Sequence, residues 1–312
     1  MSANVETMFY TRVAPWHGLG VRVESALNST EAIEQSGLNW NVIQRPIMTD
    51  TYTTIPGYKA NIRDIDEKVL GVVTDRYKVV QNSEAFAFTD ALLGEGVRYE
   101  TAGALQGGRK IWLLAKLPDK YIIEGEQIEP YLVFSSSHDG NGAIKVAMTP
   151  VRVVCQNTLN MALSSARRMW STVHVGNLVN KMDDAHNTLL LAEKYMGKLG
   201  AEISHLSKIK LTDTKVMEYI DMLLPMNDNP TDIHKKNIIR VREDMKLRYF
   251  DAPDLKGYVG KNAYRFICAV SDFATHSQPL RETANYRENV FAKTVEGNPL
   301  IDKAYELVRS AG

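Results

Sequence analysis

The segment Tyr131–Leu163, YLVFSSSHDGNGAIKVAMTPVRVVCQNTLNMAL, constrains the fold more than any other part of the chain. Two strand-like runs flank Asp139, Gly140, Asn141 and Gly142. Asp-Gly and Asn-Gly tolerate the positive φ that two-residue hairpin turns require, so Tyr131–His138 is expected to fold back on Ala143–Cys155. Polar Gln156, Asn157 and Thr158 then offer caps for open N–H groups. A helix is therefore expected from Asn157 or Thr158 through TLNMALSSARRM, packed across the sheet, with Arg167 and Arg168 near its far end. This strand–turn–strand–helix unit is a fold signature and specifies no reaction.

The remainder divides into a β-rich part, residues 1–170, and an α-helical part, residues 171–312, which either stands alone or packs on the first as one unit. In the first, Ser29 or Thr30 caps a short helix ending at Gly37, and NWNVIQRPI, TYTTIPGYKANI, KVLGVVTD and YKVVQ read as strands. Asn82 or Ser83 opens a helix that Gly94 closes. VRYETAGAL and RKIWLLAKL form a second hairpin across Gln106, Gly107 and Gly108. Consecutive hairpins with few helices predict an α+β fold: an antiparallel or mixed sheet with helices on one face, followed by an α-helical region. There, Met182, Ala185, Leu189, Ala192, Met196, Leu199, Ile203 and Leu206 recur at spacings of three and four, one seam of a helix that Gly197 and Gly200 weaken. The seam fits either packing on the next helix or a subunit contact. Further helices are expected at Thr212–Leu224, Ile233–Tyr249 and Asn262–Thr275.

Composition excludes several classes. With 312 residues, 44% hydrophobic and 24% charged, the chain buries a sizeable core. No apolar run approaches the roughly 20 residues that span a bilayer, and MSANVETMFYTRV lacks the apolar centre of a signal peptide, so no membrane association and a cytoplasmic location are expected. Two cysteines, Cys155 and Cys268, do not make a disulfide framework. Thirty-seven basic residues balance thirty-seven acidic ones, so nucleic-acid binding requires a local patch.

Catalytic and metal motifs are scarce. The seven histidines, His17, His138, His174, His186, His205, His234 and His276, show neither His-x-x-x-His spacing nor a Cys-x-x-Cys partner, and no metal or other cofactor is expected. His138 and Asp139 resemble an acid/base pair, but the glycines after them serve a turn. Cys155 follows Val151, Val153 and Val154 in a strand-like run, which suits a buried thiol better than a nucleophile. No catalytic residue is assigned. The basic residues Arg98, Arg109, Lys110, Lys145 and Arg152 are spread over the proposed sheet, with Arg167 and Arg168 on its helix and Tyr99, Trp112 and Tyr131 interleaved. Guanidinium and ammonium groups hold phosphates and exposed rings stack on unpaired bases, which suits single-stranded nucleic acid. The competing reading buries Trp112 and Tyr131 and leaves the charges as a solvated face. Lys235, Arg242 and Lys246 form a second stripe, bordering a groove or covering the core.

PWHGLG, GYKANIRD, LGVVTDRYKVVQN, GALQGGRKIWLLAKLP, SSSHDG, TPVRVVCQNTL and KNAYRFICAVSDFATH together resemble the phage/plasmid-like proteins of unassigned function, over nearly the whole chain. That resemblance implies an accessory protein of a mobile element and supplies no catalytic residues. The β-β-β-α order is also similar to single-strand annealing recombination proteins. The leading expectation is a non-enzymatic, homo-oligomeric protein that binds or anneals single-stranded DNA. The runner-up is a protein that interferes with a host defence or replication protein. A hydrolase built on His138, Asp139 and Cys155 ranks last.

Overall fold

The structure, a computed structural model, describes residues 5–11, 21–94, 97–117, 121–152, 169–177, 194–252, 255, 260–277 and 298–310. The fold is α+β, with strands mainly in the N-terminal half and helices later. The chain forms two compact units, each assembled from three segments: residues 1–118, 131–148 and 167–192 in the first, and 119–130, 149–166 and 193–312 in the second.

The first unit contains β1 (Val5–Tyr10), β2 (Val21–Arg22), α1 (Ser29–Gln35), β3 (Val42–Met48), β4 (Thr54–Arg63), β5 (Val69–Thr74), α2 (Asn82–Leu93), β6 (Arg98–Leu105) and β7 (Lys110–Lys116). After β8 (Tyr121–Ile123), β9 (Glu126–Ser137) and β10 (Ile144–Arg152) are neighbours on either side of the Asp-Gly-Asn-Gly segment, and β11 (Met169–Thr172) pairs antiparallel with β10. The large sheet runs β11-β10-β9-β7-β6-β1-β2; β1 and β2 pair in parallel, whereas β1–β6, β6–β7 and β7–β9 are antiparallel, so the sheet is mixed. A separate antiparallel sheet has the order β3-β4-β5.

Alternation along the strands decides which face is core. Ile111, Leu113 and Ala115 of β7 and Leu132 and Phe134 of β9 form one buried cluster with Ala32 of α1 and Ala85 and Phe86 of α2. Period-two side-chain alternation therefore assigns Lys110, Trp112 and Lys116 to the opposite face. Trp40, Val42 and Leu70 bring the small sheet into the same cluster.

The turn after β9 extends one residue beyond the expected Asp139–Gly142 at each end. Residues 138–143 join the strands, and Asp139 Oδ1 accepts from the Ser137 hydroxyl at 2.5 Å and from the Asn141 N–H at 2.8 Å. The Asp139 side chain thus closes the turn. Gly140 takes φ +80°, where an L side chain is strained. The caps also shift by one residue. Asn28 caps α1 in a reciprocal box with Glu31, and Gln81 precedes α2 with Glu84 bonded back to its N–H. YKVVQ is not a strand. Tyr77 makes one isolated bridge to Val175, and Gln81 instead satisfies Val42 with its side-chain amide, accepting from N–H and donating to C=O.

In the second unit, β8 pairs with the start of β9, Tyr121 opposite Ile128. The helices are α3 (residues 194–208), α4 (Asp213–Leu223), α5 (Asp232–Phe250), α6 (Ala263–His276) and α7 (Pro299–Arg309). Met196, Leu199, Ile203 and Leu206 of the expected seam are buried, and Gly197 and Gly200 lie within a continuous helical run. Thr212, Thr231, Asn262 and Asn298 each cap a helix through a side-chain oxygen. The helix expected at Thr158, Cys155, and the seam positions Met182, Ala185, Leu189 and Ala192 lie outside the described residues. Cys268 is fully buried.

Gly71 of β5 leaves no space for a side chain: a Cβ there would stand 2.5 Å from Asp139 Cα. We predict that Gly71→Ala lowers stability by about 1–3 kcal/mol, the usual cost of overpacking. Urea unfolding checks this; parent-like stability would show that this backbone approach carries little.

Candidate functional site

Two features of the first unit place chemistry-bearing groups together. One is a buried polar centre under the β9 turn. His138 follows β9 on its core face, fully buried, and its ring meets Trp40 edge-on with centroids 5.5 Å apart. Its Nε2 lies 3.0 Å from Asn82 Oδ1. Asn82 Nδ2 donates to the carbonyls of Leu38 and Trp40, which orients the amide so that Oδ1 accepts from His138. Segment ends are joined at the same place: the His138 N–H donates to Arg109 O at 2.7 Å, and the side-chain amide Nδ2 of Asn61 donates to His138 O at 2.8 Å.

His174 completes the centre. Its Nδ1 lies 3.0 Å from the carbonyl of Lys78, so that nitrogen carries the proton and Nε2 accepts from the Ser136 hydroxyl at 3.4 Å. Tyr77 stacks on the ring with centroids 4.6 Å apart and donates its hydroxyl to Ser137 O. Burial holds both imidazoles below the ordinary histidine value, His138 at about 3 with His174's charge adding to the effect. Burial also pushes the Tyr77 phenol up. A Ser–His pair with a backbone orienter superficially resembles a nucleophile and its base. Yet Ser136, His138 and His174 are all buried, and their hydrogen bonds pair every ring nitrogen except His138 Nδ1, which has no partner. The sequence offered His138 as the last residue of a strand and, with Asp139, as a resemblance to an acid/base pair, and gave no spacing to tie it to His174.

The GGRK turn abuts this centre from the other side. Arg63 Nη1 and Nη2 hold Glu6 at 2.8 and 2.9 Å, and its Nε and Nη2 hold Asp66 at 2.8 and 2.5 Å. Both carboxylates are held below their ordinary values: for Glu6 the Arg63 pairing outweighs burial, and Asp66 is drawn down chiefly by its bond to Arg63, to about 2. A Cβ on Gly107 or Gly108 would meet Lys68 Nζ at 2.2 Å or Arg63 Nη1 at 3.2 Å. These glycines serve packing around an ion-pair cluster.

The second feature is the basic face of the large sheet. Arg98 of β6 is exposed and stands opposite Lys116 of β7, which in turn stands opposite Tyr131 of β9. Ile144 and Val146 belong to the core cluster, so Lys145 lies on the face that carries Lys110, Trp112 and Lys116. Lys145 titrates below the usual lysine value, first through burial and then through the charge of Lys110, which places these two cations near one another. Arg109, beside them in the turn, is exposed. Lys110 and Lys116 are six residues apart, about 20 Å along the strand. Between these ends Trp112 is only 6% exposed and Tyr131 and Val133 are buried, so the Trp112 ring presents no face for stacking. Arg152 ends β10. Arg167 and Arg168 lie outside the described residues.

Lys235, Arg242 and Lys246 of α5 are occupied in ion pairs. Arg242 binds Asp221 and the Leu224 carbonyl at the end of α4, Lys246 binds Glu243, and Lys235 approaches Asp232 at 3.9 Å. No group of three or more His, Cys, Asp or Glu suited to a metal occurs among the described residues, and none of the described helices is long and apolar enough to cross a membrane.

The profile of a family described as Domain of unknown function (DUF932) matches residues 69–294, and the chain belongs to that family. The matched span begins at β5 and includes the buried histidines and the basic strands. Comparison with curated proteins and with solved structures gives no match.

Removing the Asn82 amide strips His138 of its acceptor and two carbonyls of their donor. We predict that Asn82→Ala costs at least about 2 kcal/mol, since each unsatisfied buried group costs about 1–3 kcal/mol. A loss below about 0.5 kcal/mol in urea unfolding would contradict the assigned network.

Proposed function

We propose that this DUF932 protein binds single-stranded nucleic acid through phosphate contacts, as a non-enzymatic accessory protein of a phage or plasmid. The observation that supports this reading best is the convergence of Lys110 and Lys145 on one sheet face beside exposed Arg109. A phosphate laid on this face would meet cationic side chains from two strands and from the turn between β6 and β7. Arg98 and Lys116 form a second cationic end on that face.

The burial of Trp112 alters the mechanism expected from sequence. Base stacking on this ring is not available, so contacts are electrostatic and indifferent to base identity. Phosphates are held while bases stay accessible for pairing, which is what annealing requires. Several subunits in a homo-oligomer would extend the separate cationic ends into a longer track.

A specific observation also favours the protein-interaction reading. On the outer face of the small sheet, Tyr58, Val69 and Val72 are about half exposed on adjoining strands β4 and β5. Such apolar side chains on one exposed sheet face suit a partner protein more than a nucleic acid.

Binding of labelled single-stranded and duplex DNA over a salt series separates the two. The parent protein is expected to bind single strands with affinity that falls steeply with salt. Joint Arg109→Ala, Lys110→Ala and Lys145→Ala substitutions should reduce the log–log slope by about 2, at roughly 0.7 per lost phosphate contact on a single strand. An unchanged slope in a folded triple variant would reject this face as the binding surface. Absence of DNA or RNA binding at low salt would favour the protein-interaction reading.

A further inference from the structure

We infer that the buried His138–His174 pair is an acid-sensitive latch that holds the three-stranded sheet and the Tyr77–Lys78 segment against the β9 turn. The hydrogen-bond geometry supports this directly. Asn82 Oδ1 obliges His138 Nε2 to carry its proton, which leaves His138 Nδ1 as a buried lone pair without a hydrogen-bond partner. His174 holds the opposite tautomer, with Nδ1–H on the Lys78 carbonyl and Nε2 toward Ser136. A second proton on His138 has no acceptor, and one on His174 displaces the Ser136 hydroxyl proton. Either cation then sits in a buried site with a second imidazole as neighbour.

The surrounding groups do not offset this cost. Asp139 is the carboxylate that acts on both rings, and its Oδ1 already accepts from Ser137 and Asn141. Around His138 stand Asn82 of α2 and Trp40, whose ring carries the Arg63 guanidinium 5.5 Å from its centroid. Around His174 stand Tyr77, Ser136 and the backbone carbonyl of Lys78. Burial outweighs the attraction of Asp139 at both rings.

The latch acts on the segments those residues hold. Asn61 of β4 donates to the His138 carbonyl, Gly71 of β5 packs on Asp139, and the Tyr77 hydroxyl donates to Ser137 O. The Lys78 N–H donates to the His174 carbonyl at 2.7 Å. Charging either ring opposes all four contacts together. The unfolded chain binds protons near pH 6.5, well above the folded value of His138. Stability is therefore full and constant above about pH 6.5 and falls as pH drops below it, because the open form takes up the proton first. Each histidine multiplies the opening constant by up to about tenfold per pH unit.

Equilibrium urea unfolding between pH 7.5 and 5.5 tests this, a window in which carboxylates barely titrate. His138→Gln retains an N–H donor for Asn82 and does not titrate. The parent's unfolding constant is expected to rise more than about fivefold from pH 6.5 to 5.5, and His138→Gln to flatten that rise by about fivefold. A pH-independent parent, or an equal slope in the folded variant, would overturn the latch. Should the variant fail to fold, ring-carbon NMR of the parent decides: His138 unprotonated down to pH 5.5 supports the latch, and titration near pH 6.5 overturns it.

Discussion

The first unit depends on a backbone approach that only a missing side chain permits. Gly71 lets β5 lie directly against the main chain of Asp139, and every contact beneath the β9 turn follows from that proximity. Asn61 reaches the His138 carbonyl, Val73 meets Gly140, and the His138 ring enters the space beside Trp40. Once the ring is buried its hydrogen bonds must be made inside the protein, because an unpaired buried polar group costs about as much as the net gain from a hydrogen bond or more. Asn82 at the start of α2 meets that need for Nε2, so the β9 turn, the segment leading into β3 and a helix are joined at one side chain.

Much of the architecture was legible from local patterns. The Gln106–Gly108 hairpin, the helix opening at Asn82 and closing at Gly94, and the apolar spacing of Leu199, Ile203 and Leu206 carry their information within a few residues. YKVVQ misled because alternation marks an extended segment without saying whether it finds a strand partner; here Gln81 uses its side chain where a strand would use main chain. The last helix, α7, was missed, although Asn298-Pro299 supplies a cap and a first-turn proline and Ile301, Ala304, Tyr305 and Val308 recur at helical spacing.

The candidate site was legible only in part. The basic residues of β6, β7 and β10 were identifiable, and the alternation of strands brings Arg98, Lys110, Lys116 and Lys145 to one face. Exposure was not identifiable, since Trp112 and Lys110 share that face while one is buried and the other is half-buried. The pairing of His138 with His174 depends on β11 and the Tyr77 bridge, contacts separated by tens of residues that no spacing rule encodes. For the same reason, the glycines of GGRK read as a turn when their tighter constraint is the Arg63–Glu6–Asp66 cluster beside them.

The central claim is that two neutral histidines of opposite tautomer lock the turn, the small sheet and α2 together. Long-range proton–nitrogen NMR of the imidazoles near pH 7 tests it most directly, because protonated and bare ring nitrogens resonate far apart. The account predicts a proton on Nε2 alone for His138 and on Nδ1 alone for His174. The reverse assignment at His138, or averaged signals from freely exchanging tautomers at either ring, would contradict it.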